Sequence, residues 1–86
     1  MNLEERVKAK LVFNDGIGET EIYLLDHQNN LYLSRNAEEF NPPRFVTNDF
    51  QVIQYIVSYS QVILTDGQII NSYPEKRKFL QGLRQD

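Results

Sequence analysis

Covalent chemistry at a protein site needs a nucleophile, metal ligands or paired acids at workable spacing, and this sequence is sparing with all three. His27 is the only histidine and there is no cysteine, which excludes a thiolate nucleophile, a Cys-ligated zinc and a multi-histidine metal site. His27 also sits in the polar run Asp26-His27-Gln28-Asn29-Asn30, whose residue types favour a solvated turn over a ligand pair. Nothing like a nucleophile elbow surrounds Ser34, Ser58, Ser60 or Ser72. The acidic pairs Glu4-Glu5 and Glu38-Glu39 lie in polar surroundings, without the apolar pocket that would raise one carboxyl pKa for acid/base work. Asp15-Gly16-Ile17-Gly18-Glu19 resembles a fragment of a phosphate-cradling loop. It lacks the third glycine of the dinucleotide fingerprint, the Gly-Lys-Ser/Thr of a P-loop and the alternating ligands of a calcium loop. No catalytic residue, metal or cofactor is therefore assigned, and the chain is expected not to be an enzyme.

What the sequence offers instead is residues suited to binding, and strands to hold them. Val7, Ala9, Leu11 and Phe13 alternate with Lys8, Lys10 and Val12, the period-two pattern of a strand with one buried face. Asn14-Asp15-Gly16-Ile17-Gly18 supplies the turn residues after it. A second strand is expected from about Thr20 to Asp26 and a short third from Leu31 to Ser34, completing a β-meander. Arg35 to Asn48 reads as an irregular connection, with Asn36 and Glu39 at capping-box spacing and Pro42-Pro43 as punctuation. Phe40 and Phe45 flank the prolines and are expected to anchor this loop at the core edge.

Thr47-Asn48-Asp49 then marks a helix start, with Phe50, Ile53, Ile56 and Val57 on one stripe, so a helix near residues 49–59 is preferred over a strand. Val62-Ile63-Leu64 and Ile69-Ile70 flank Asp66-Gly67, the pattern of a hairpin with a type I′ turn. Ser72 and Pro74 open a last helix with Phe79, Leu80 and Leu83 as its apolar stripe. The order βββ-α-ββ-α describes a single α+β domain over residues 1–86. It is a small two-layer sandwich whose antiparallel sheet carries helices mainly on one face.

Pairing Phe13 with Thr20, and closing the second hairpin with an even-length turn, segregates the meander into two faces. The core face takes Val7, Ala9, Leu11, Phe13, Ile22, Leu24, Leu31 and Leu33. The outer face takes Lys8, Lys10, Val12, Tyr23, Leu25 and Tyr32, which become the expected interaction face. Tyrosines and aliphatics together suit protein contact, including self-association as a homodimer. Lysines interleaved with tyrosines also suit a single-stranded nucleic acid, whose bases stack on the rings while phosphates meet the ammonium groups.

Charge orders these two readings. Twelve acidic against nine basic side chains leave a net charge of -3, which repels phosphate backbones. The one basic cluster, Lys76-Arg77-Lys78, lies in the first turns of the last helix, where the helix dipole disfavours cations. Protein is thus the expected partner and nucleic acid the alternative. The apolar stretch from Val52 to Leu64 is interrupted by Gln54, Ser58, Ser60 and Gln61, far from the roughly 20 apolar residues of a membrane span. The N-terminus has no signal-peptide pattern, so a cytoplasmic, soluble, acidic domain is expected.

Overall fold

Alternating apolar and polar side chains over the first third of the chain favour pleated strands, and hairpin turns then bring those strands together. The computed structural model describes residues 7–14, 16, 20–34 and 43–83. Its elements in chain order are β1 (Val7–Asn14), β2 (Thr20–Asp26), β3 (Leu31–Ser34), β4 (Arg44–Thr47), α1 (Phe50–Ser58), β5 (Ser60–Leu64), β6 (Ile69–Ile70) and α2 (Tyr73–Leu83). The six strands form one open sheet in the order β4-β3-β2-β1-β5-β6, with every neighbouring pair antiparallel. The expected α+β two-layer architecture is the one observed.

Both helices cover the same face of the sheet. Ile53, Ile56 and Val57 of α1 and Leu83 of α2 pack in one cluster with Ala9, Leu11, Leu25 and Val62 from the central strands. Burying each such aliphatic side chain contributes roughly 1.5–3 kcal/mol, so the helices are held by this face rather than by propensity. α1 begins where Asp49 accepts a hydrogen bond from the Gln51 N–H at 2.9 Å. α2 begins at a reciprocal cap: the Ser72 hydroxyl donates to Glu75 Oε1 at 2.8 Å and accepts from the Glu75 N–H at 3.4 Å. α1 carries no basic residue in its own last turn. Lys76 of α2 supplies that charge, donating to the Ser58 carbonyl at 3.2 Å, so a cation misplaced for its own helix dipole is well placed for its neighbour's.

Two hairpins share one turn design. In each, a three-residue loop ends on a residue with positive φ: Asn29 (φ 65°) between β2 and β3, and Gly67 (φ 90°) between β5 and β6. The N–H of that residue bonds the carbonyl three positions back, Asp26 in the first case and Leu64 in the second. This is a type I turn followed by a bulge. The type I′ turn expected at Asp66-Gly67 is therefore corrected, because it needs positive φ at both central residues and Asp66 does not have it.

Three further expectations are corrected. The connection from Arg35 to Asn48 is not wholly irregular, since Arg44–Thr47 forms edge strand β4 beside β3. Phe45 is consequently 53% exposed instead of tucked into the core edge. Phe40, Pro42 and the Asn36–Glu39 capping spacing lie outside the described residues. Most consequential is the register of β2. Leu11 faces Tyr23 and Ala9 faces Leu25, one residue away from the expected pairing. Leu24 then faces Tyr32 and Leu25 faces Leu31, again one residue away. The two slips cancel for β3 and invert β2 alone.

Candidate interaction face

The inversion of β2 redistributes the expected face. Tyr23 (8% exposed) and Leu25 (fully buried) belong to the helix-covered core. Tyr23 packs edge-on against Phe13, with ring centroids 6.1 Å apart, and its hydroxyl donates to Glu21 at 3.2 Å. Burial first, and the Glu21 carboxylate second, push its phenol pKa above the usual value. The physical reason for the correction is that β2 is apolar on both sides. Ile22 and Leu24 alternate with Tyr23 and Leu25, so hydrophobic pattern cannot choose between two registers and turn length does.

Lys8 also leaves the expected face. It sits at the irregularity between Val7 and Ala9, where the strand carries one residue more than its partner. Its Nζ donates to Asn29 Oδ1 at 2.8 Å. Burial lowers its pKa and the nearby Asp26 charge partly restores it. Asn29 in turn donates to the carbonyl of Leu83 at 2.8 Å. Lys8 and Asn29 therefore tie β1 and the end of α2 to the β2–β3 turn, which is a structural role.

Lys10, Val12 and Tyr32 do share the helix-free face, as expected. Register places Ile22 and Leu24 of β2 beside them, Ile63 of β5 opposite Lys10, Ile69 of β6 opposite Ile63, and Phe45 of β4 opposite Tyr32. The Tyr32 and Phe45 rings meet edge to face at 6.0 Å. An apolar strip, interrupted at β1 by exposed Lys10, thus runs across the sheet from Phe45 at one edge to Ile69, 52% exposed, at the other. Sequence reading missed Phe45, Leu24, Ile63 and Ile69 on this strip; Ile22 shares the side but is itself buried, at 7% exposure. The available signal was that Val62-Ile63-Leu64 and Ile69-Ile70 are apolar at consecutive positions, and consecutive strand residues point to opposite faces.

One end of this strip is fixed by a buried carboxylate. Asp26 is 1% exposed, and it accepts from the Gln28 N–H and Asn30 N–H at 2.9 Å each, from Asn30 Nδ2 at 3.1 Å and from the Tyr32 hydroxyl at 3.3 Å. Burial alone would raise its pKa, but hydrogen bonds from Asn30, Gln28 and Tyr32 outweigh burial and hold the carboxyl below its usual value. Asp26 therefore orients Tyr32 within the strip. His27 is exposed in the same turn. Among the described residues no three His, Cys, Asp or Glu side chains come together as a metal site. No described helix is long and apolar enough to cross a membrane. Compared with protein-family models, with curated proteins and with solved structures, the chain matches none.

Proposed function

We propose that this domain is a non-catalytic protein-interaction module that associates with a second copy of itself, sheet face against sheet face. The observation that carries this reading is the apolar strip from Phe45 through Tyr32, Leu24 and Ile63 to Ile69 on the face opposite both helices. Two such faces would pack at about 10 Å with aligned strands, turning a two-layer domain into a four-layer dimer. Six strands span roughly 24 Å, and with short edges the face offers roughly 400–500 Å² in plan. Stable interfaces use about 800 Å² per partner, so this contact belongs to the weak, concentration-dependent class. Lys10 sits near the middle of the strip with its head exposed. Its aliphatic stem can cover apolar neighbours while the ammonium reaches the rim.

The non-catalytic part of the reading is supported by the single histidine, exposed in a turn, and by the lack of cysteine in the sequence. A single-stranded nucleic-acid reading draws on the Tyr32–Phe45 ring pair as a stacking platform. It is weakened because Lys8 is committed to Asn29, leaving Lys10 as the one lysine of β1 on that face. Light scattering across a wide concentration range tests the proposal, with Phe45→Glu and Ile69→Glu as variants at exposed positions. A mass that rises toward the dimer in the wild type and stays at the monomer in both variants is the expected result. A wild type that stays monomeric at every concentration overturns it, as does salt-sensitive oligonucleotide binding lost with Tyr32→Ala.

A further inference from the structure

On the side of the sheet away from that strip, α1 and α2 lie antiparallel, with Lys76 at the end of α1 and Leu83 near its start. Between them runs a groove of about 280 Å³, with Phe50 and Gln54 on one wall and Tyr73, Lys76, Arg77 and Leu80 on the other. Its charge is one-sided. α1 contains no charged residue, and among the described residues no carboxylate lines the groove. Glu75, the one acid of α2, is engaged by the Ser72 hydroxyl at the helix cap.

The two cations have no carboxylate partner among the described residues. Lys76 bonds only a backbone carbonyl, and the Arg77 guanidinium lies 6.0 Å from the Tyr73 ring centroid. Lys76 keeps two further N–H donors and Arg77 its planar fork, which suits a carboxylate. Burial lowers the Lys76 pKa, so the ammonium is already partly stripped of water. Beside these cations lie the apolar surfaces of Phe50 and Leu80 and a Tyr73 ring that is 73% exposed.

We propose that this groove receives an acidic peptide segment, one carboxylate pairing with Lys76 and Arg77 while a neighbouring large apolar side chain lies against Leu80 and Tyr73. A volume near 280 Å³ accommodates one or two side chains rather than a folded surface. Charge complementarity selects the acid, since this is a cationic site on a chain of net charge -3. A polynucleotide is disfavoured, because a phosphodiester strand brings a charge with every nucleotide and needs cations along its track. The inference does not depend on the sheet-face dimer, which uses the opposite side of the molecule.

Fluorescence anisotropy with the full chain tests it, using a labelled peptide of alternating Glu and Phe, its Gln-for-Glu twin and an oligothymidylate of equal length. The acidic peptide is expected to bind at least about tenfold more tightly than the Gln twin at low salt, with the advantage shrinking as salt rises. Arg77→Glu, at an exposed position, is expected to weaken binding at least about tenfold, since repulsion replaces attraction. Tyr73→Ala, also exposed, supplies a second variant should Arg77→Glu impair folding, and is expected to weaken binding about threefold. Phe45→Glu is expected to leave peptide binding unchanged whatever it does to dimerisation. Equal binding of the Gln twin, indifference to both groove variants, or tighter binding of the oligothymidylate each overturns the inference.

Discussion

Asp26→Asn is the substitution that most directly probes how this small domain holds together. The carboxylate is buried and accepts four hydrogen bonds, two from backbone N–H groups on Oδ1 and two from Asn30 and Tyr32 on Oδ2. A carboxamide of the same shape can keep its oxygen on the two backbone donors, but its NH₂ then points at two other donors. Hydrogen bonds to charged groups contribute about 1.5–3 kcal/mol each, and some relief is available because the Asn30 amide can flip and the Tyr32 hydroxyl can rotate. A net loss of about 2–4 kcal/mol follows. A domain of this length is held by roughly 4–13 kcal/mol in all, so Tm should fall by about 10–25 °C.

The pH dependence gives the sign. Because the Asp26 carboxyl titrates below its unfolded value in the native state, its stabilisation is complete above the unfolded pKa of about 3.9. It is lost as pH falls through the folded value. Urea unfolding of wild type and Asp26→Asn, followed by circular dichroism, should therefore show a gap near neutral pH that closes below about pH 4. A variant within about 1 kcal/mol of wild type at neutral pH, or a gap that persists unchanged in acid, would refute the reasoning.

Three further outcomes follow from the turns and the core. Asn29→Ala should destabilise the fold more than Asn29→Gly, by roughly 1 kcal/mol in denaturant unfolding. Both lose the bonds to Lys8 and Leu83, but only alanine meets the left-handed φ of 65° without glycine's freedom. Gly67→Ala should cost about 1–2 kcal/mol through φ alone, since nothing lies within 4 Å of the added Cβ; an unchanged denaturation midpoint would contradict the turn assignment. Tyr23 should ionise above the ordinary tyrosine value of about 10 in an alkaline absorbance titration, read as the difference between wild type and Tyr23→Phe. Its raised pKa contributes stability that is full below the unfolded value of about 10 and declines as pH rises through the folded value.

Particular elements show how much was readable in advance. The alternation in β1, the Asp49 cap of α1, the glycine of the β5–β6 turn and the Ser72 start of α2 are local signals, and each produced the element it implied. Edge strand β4 carried no such signal, being four residues after a Pro-Pro, and it exists because β3 offers it unpaired backbone groups. The candidate face was half legible: Lys10, Val12 and Tyr32 share it, whereas Tyr23, Leu25 and Lys8 do not.

The sequence by itself determined an α+β chain with no cysteine, one histidine, a net charge of -3 and more apolar strand positions than one core face can take. Only the tertiary structure decided which of them lie inside. A strand apolar on both sides has nearly equal reasons to bury either face, and the choice fell to a three-residue turn closed by Asn29 and a carboxylate at Asp26 that needed its donors. Those two residues, from a polar run that looked like simple solvated loop, close the turn that pairs β2 with β3. The pairing they close puts Leu24 opposite Tyr32 on the helix-free face and Leu25 opposite Leu31 in the core.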